Sequence, residues 1–181
     1  MHVENLRPDD GFRNPESDED YVTWHIENTN YQNLYYLHGA LHIFDTATEF
    51  KKYTWYRTGI SLIEQIQYAL DNDYFPLIVA EGKREEKESR ILHSAYLQRG
   101  QKSLTSISGS LFIYGHSLAT NDNHILGLIP KSKISKVSIS LYGDINKQEN
   151  IQIINNASTI FKKKTSIEIN FYNAQSANVW R

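Results

Sequence analysis

Cysteine is absent from the 181-residue chain. Disulfides and cysteine-ligated zinc are thereby excluded, and any metal would need His, Asp or Glu. Long apolar runs are missing as well: nothing approaches the roughly 18 consecutive apolar residues of a membrane helix. The opening MHVENLRPDD is too polar for a signal peptide, so no membrane partner is expected and the cytoplasm is the expected location. There is no surplus of positive charge either, since 19 Lys and Arg stand against 21 Asp and Glu for a net −2. That balance offers no basic face to a nucleic-acid backbone. The sequence shows no internal repeat and no low-complexity tract.

What the chain does have is apolar material for one ordinary core, at 40% hydrophobic residues, and an excess of tyrosine, with 12 copies beside 3 Trp and 7 Phe. Tyrosine joins apolar area to a polar tip, which suits half-buried strands and cleft walls. Residues 1–33 are acidic, turn-rich and poor in periodic apolar positions, so they read as a loop-like N-terminal segment pinned by Phe12 and Trp24. Regular patterning starts at Leu34 and defines a domain over residues 34–181. Leu34–Leu37 and Ala40–Phe44 read as two short strands around Gly39, followed by an extended, aromatic-rich segment over Phe50–Arg57. Residues 59–72 put Leu62, Ile63, Ile66, Ala69 and Leu70 on one helical stripe. A strand at Leu77–Ala80 and helices over 83–93 and 96–106 come next.

The second half is more regular. Strands are expected at Leu111–Tyr114, Val137–Leu141 and Ile167–Phe171, with helices at Asn123–Ile129 and 146–161 between them. Strand, helix, strand, helix, strand at this spacing implies right-handed crossovers and a parallel α/β sheet, with apolar strands covered on both faces.

In such a sheet ligands bind beyond the carboxyl ends of the strands. Two loops have that address: His38-Gly39 after Leu37, and Gly115 to Asp122 after Tyr114. Gly115 permits close backbone approach, Ser117 offers a hydroxyl, and Asn121-Asp122 are placed to cap the next helix, whose N-terminus attracts phosphate. The same residues would equally serve a plain strand-to-helix loop. The His38 imidazole titrates near neutrality, so it suits a general base, and also a buried ring bonded to backbone. A metal site is not expected. His38 and His42 on one strand lie about 13 Å apart, and His116 and His124 would meet only through tertiary packing. The run Lys83–Arg90 reads as a solvated helix face, with Lys83 or Arg84 approaching an anion as the alternative. Lys162-Lys163-Lys164 reads as a basic helix end.

The order of these motifs carries a resemblance. A strand ending in His38-Gly39 and a later strand ending in Gly115-His116-Ser117-Leu118 resemble the sirtuin-like fold. The segments YYLHGALHIF, PLIVAEGKREEK and LFIYGHSLATNDNHIL, with DDGF at Asp9–Phe12, resemble a bacterial sirtuin-like family of unknown function, numbered 4917, over residues 9–145. The resemblance implies a Rossmann-like, three-layer parallel-sheet fold. It implies His38 as catalytic base, with Gly39, Gly115, His116, Ser117, Asn121 and Asp122 holding NAD as substrate or ligand and no metal. The implied reaction is hydrolysis of the nicotinamide–ribose bond; the alternatives are a non-catalytic nucleotide-binding module and an inactive remnant. The glycine-rich strand-loop-helix that opens sirtuin-like domains has no counterpart before His38. The chain is therefore expected to be the C-terminal portion of such a domain, working as a homo-oligomer or with a second chain that supplies the missing half.

Overall fold

A computed structural model describes residues 7–15, 18–79, 84–161 and 166–179. The strands are β1 (Phe12–Arg13), β2 (Tyr21–Trp24), β3 (Gly39–Asp45), β4 (Phe50–Tyr53), β5 (Pro76–Ile78), β6 (Ser108–Ile113), β7 (Lys133–Leu141) and β8 (Glu168–Asn173). The helices are α1 (Trp55–Thr58), α2 (Leu62–Asp71), α3 (Arg84–Leu92), α4 (Ala95–Ser106), α5 (Asn123–Leu126) and α6 (Gln148–Phe161), with short 3-10 turns between them. The protein is mixed α/β and forms two compact units. The first holds Met1–Gly82 and Ser89–Gly100, the second Lys83–Glu88 and Gln101–Arg181. Among the described residues no helix is long and apolar enough to cross a membrane.

The first unit is built on a five-stranded sheet in the order β1-β2-β4-β3-β5, and every pairing in it is antiparallel. This corrects the expectation of one parallel sheet. It also corrects the loop-like reading of residues 1–33, where β1 and β2 lie and where Phe12, Val22 and Trp24 are buried. The sequence signal was weak because each strand is short and ringed by acidic residues. Tyr96 from α4 organises this core, its ring 5.4 Å from Phe12 and 5.5 Å from Trp24. Burial raises the Tyr96 phenol above its ordinary pKa, and its hydroxyl accepts from the Tyr36 N–H at 3.3 Å. Asp10 and Lys52 pair at the edge of this core, with the Lys52 ammonium 4.9 Å from the Phe12 ring.

Two local readings change. Leu34–Leu37 is no strand; Leu37 and His38 form a turn that feeds β3. In α2 a full capping box starts the helix, with Ser61 accepting from Glu64 N–H and Glu64 accepting from Ser61 N–H. Its buried face holds Ala69 and Gln65, while Leu62, Ile63 and Leu70 of the expected stripe are exposed. Gln65 faces inward because its amide N–H groups serve the backbone carbonyls of Thr54 and Ile60.

The second unit carries the parallel sheet that the sequence pattern implies, in the order β6-β7-β8. Leu111, Ile113, Val137, Ile139, Ile169 and Phe171 join Leu118, Leu126, Ile129, Ala157 and Phe161 in one apolar cluster. β7 alternates, however: Ser138 and Ser140 stand between Val137, Ile139 and Leu141, on the opposite face from them. The expected helix at Asn123–Ile129 is three short turns, a 3-10 turn at Thr120–Asp122, α5, and another 3-10 turn at Ile129–Lys131. The Gly127–Leu128 step and Pro130 prevent a continuous helix. Ala80, the Lys83 reading, the Arg84 side chain and Lys162-Lys163-Lys164 lie outside the described residues.

Gly39 fixes the start of β3. Its φ is +73°, and a Cβ there would lie 1.8 Å from the Leu77 carbonyl oxygen of β5. Gly59, which ends α1 in the left-handed conformation at φ +70°, has nothing within 4 Å of such a Cβ. Gly39→Ala is expected to cost on the order of 3 kcal/mol or more, because the β3–β5 pair must separate. Gly59→Ala is expected to cost only about 1 kcal/mol of backbone strain. Urea denaturation of the two variants compares them directly.

Candidate functional site

Parallel β6 and β7 release the chain at the same end of the sheet, and a cleft of about 630 Å³ lies there. Gly115, His116 and Ser117 line it from the loop after β6. Ser140 and Tyr142 line it from the end of β7, and Lys147, Glu149 and Asn150 from the start of α6. Both loops turn on glycines of positive φ, Gly115 at +66° and Gly143 at +71°, a conformation that residues with a Cβ adopt at a cost. The Gly115 N–H donates to Ser140 Oγ at 3.0 Å, tying one loop to the neighbouring strand.

The wall from β7 to α6 is held by one buried amide. Asn150 Nδ2 donates to the carbonyls of Tyr142 (3.0 Å) and Asp144 (2.7 Å), and Asn150 is only 3% exposed. Asp144 in turn accepts from the Asn146 N–H at 2.9 Å. The result brings the first turn of α6, the 14-residue helix, to the cleft. The backbone N–H groups that open such a helix, with Lys147 beside them, favour a negative ligand. Glu149, Ser117 and Ser140 supply acceptors and hydroxyls suited to a polyol.

The loop after β6 is braced from behind. The Leu118 N–H donates to His116 Nδ1 at 2.9 Å, which puts the ring proton on Nε2. That Nε2 lies 3.6 Å from Asp122 Oδ2, and the other Asp122 oxygen accepts from Lys87 Nζ at 3.1 Å. Lys87 is 3% exposed. Leu118 itself takes φ +54° and is fully buried, so its side chain in the apolar cluster offsets backbone strain. Asn156 Nδ2 reaches the Ser117 carbonyl at 3.4 Å.

Of the residues expected to bind a ligand, Gly115, His116 and Ser117 come together in this cleft. Asn121 and Asp122 do not line it. Asn121 gives its carbonyl to His124 Nδ1 at 3.2 Å, and Asp122 makes no side-chain cap to α5, contrary to the capping expectation. His38 and Gly39 belong to the first unit. There His38 sits at the start of antiparallel β3, its carbonyl accepting the Val79 N–H at 2.8 Å, and not beyond the carboxyl end of a parallel strand. Ser140, Tyr142, Lys147 and Asn150 were missed by sequence reasoning. The signal was the second strand end, Tyr142-Gly143-Asp144, to which the rule applied at Tyr114 applies equally.

Two outcomes follow from this bracing. Lys87→Met leaves Asp122 without its buried partner and is expected to cost roughly 3 kcal/mol of stability, with most of the loss recovered in Lys87→Met/Asp122→Leu; a chemical-denaturation cycle measures this. His124 is buried, and that burial, ahead of the opposing Asn121 and Asp122 contributions, lowers its pKa. The unfolded chain therefore takes up the proton first. His124 contributes stability that is complete above its unfolded pKa of about 6.5 and is lost as pH falls toward the folded value. His124→Gln is expected to flatten the fall in urea midpoint between about pH 7 and pH 5; an unchanged slope counts against this assignment.

No curated protein and no solved structure matches this chain. A family model described as domain of unknown function, DUF4917, matches residues 2–180. That span takes in the first thirty residues, where β1 and β2 pair with the rest of the first sheet. The chain belongs to the DUF4917 family.

Proposed function

We propose that the cleft of the second unit binds the sugar-phosphate part of a nucleotide, with NAD as the expected ligand. The observation that carries this reading is the position of the cleft: beyond the carboxyl ends of two parallel strands, with a glycine turn and the first turn of a long helix facing it. A phosphate fits the N–H groups and Lys147 at the start of α6. Ribose hydroxyls fit Ser117, Ser140 and Glu149, and the Tyr142 ring offers a surface for a flat base.

The reaction that accompanies this reading is NAD hydrolysis within a sirtuin-like fold. The bond between ribose C1′ and the nicotinamide nitrogen breaks, nicotinamide leaves with the electron pair, and water adds to C1′. In the resemblance the base that takes the proton from that water is His38, which belongs to the first unit and does not line this cleft. A second copy, or a different chain that supplies a glycine-rich phosphate loop, belongs to this proposal.

Calorimetric titration with NAD and with ADP-ribose, beside an assay of nicotinamide release, tests it. Saturable binding is expected, and Ser117→Ala is expected to weaken it about tenfold, or roughly 1.4 kcal/mol. On the resemblance's assignment of the base, His38→Ala is expected to abolish release while binding persists; unchanged release in that variant rejects the assignment. Binding without release, alone and with a second chain that carries a glycine-rich phosphate loop, would leave a nucleotide-binding module. Absence of binding to either compound would reject the proposal.

A further inference from the structure

The first unit contains a second cleft, of about 410 Å³, with a different chemistry. Tyr21 of β2 and Tyr53 of β4 are direct cross-strand partners, so both rings stand on one face of the sheet. Tyr68 of α2 closes the cleft, and Asp20 and Glu64 line it with carboxylates. Gln65 lines it too, 7% exposed; its N–H groups are committed to backbone carbonyls, and its Oε1 has no hydrogen-bond partner among the described residues. No Lys, Arg or His is among the described residues of the lining. Nearby cations are spoken for. Arg57 holds the Glu19 carbonyl at 2.6 Å, and Lys51 bonds Glu49 while its ammonium lies 4.0 Å from the Tyr21 ring centre.

Ring faces, carboxylates and an acceptor in need of a donor all select the same partner. We propose that this cleft binds a primary ammonium carried on an alkyl chain, such as a lysine side chain or a simple aliphatic amine. The rings attract the charge, and the short stem packs on them. The carboxylates and Gln65 take the N–H donors, which a quaternary ammonium lacks. This site is independent of the nucleotide cleft.

The test uses N-acetyl-lysine amide against N-acetyl-norleucine amide, which keeps the alkyl stem and loses the charge, followed by NMR titration of the intact chain. Only the lysine compound is expected to bind, with weakening at higher salt. Asp20→Asn/Glu64→Gln is expected to lower affinity about tenfold, and the glutamine keeps the Ser61 capping box intact. Tyr68→Leu, at a 67% exposed position, is expected to weaken binding without unfolding the unit. Equal binding of both compounds, unchanged affinity in the charge variant, or no binding of the lysine compound up to about 20 mM would each overturn the proposal.

Discussion

Parallel pairing of β6 with β7 is the constraint from which the candidate site follows. Two parallel strands deliver their following loops to the same end of the sheet, and each loop must then turn back over the apolar face. Here each turn is made by a glycine of positive φ, Gly115 or Gly143. The backbone groups freed by those turns are answered from within the unit, by Ser140 Oγ on one side and the buried Asn150 amide on the other. These hydrogen bonds pre-shape the cleft between the loops. A pre-shaped cleft loses less ordering entropy on binding.

Charge is managed differently in the two units. In the first, Asp10 with Lys52 and Asp9 with Arg13 hold the DDGF segment against the aromatic core, and Arg13 drives the Asp9 carboxyl below its usual range. His42, packed against Tyr36 with a ring separation of 5.6 Å, is held below its usual pKa by burial and then by Lys52. In the second, a nearly fully buried ammonium, Lys87, anchors the carboxylate that faces His116. Breaking the buried Lys87–Asp122 pair singly is expensive, whereas the net contribution of such a pair when intact is small. The effect of all these pairs here is geometric: they set where the DDGF turn and the Gly115–Ser117 loop lie.

How much of this was legible depended on periodicity. The strands and helix of the second unit announce themselves as apolar runs punctuated by Gly115, Pro130 and Gly143, and the parallel sheet followed. The first unit was harder because antiparallel strands of two to four residues, such as Phe12–Arg13 and Tyr21–Trp24, are too short for alternation to show. A His-Gly step after Leu34–Leu37 looked like a strand end. It is a turn into a strand, and the decisive contact, Gly39 against the Leu77 carbonyl, joins positions that no local pattern relates. The α2 stripe misled for a related reason. Apolar spacing marks a face, but the inward face was chosen by the hydrogen bonds of Gln65. Lys87, a buried cation in a charged run, could not be told from its solvated neighbours by sequence.

The central claim, that the cleft above β6 and β7 is a nucleotide site, is open to direct test by amide hydrogen exchange with and without ADP-ribose. Protection is expected to rise over residues 114–118 and 142–150, the two loops and the first turn of α6. Exchange that is unchanged in both segments at saturating ligand would contradict the account.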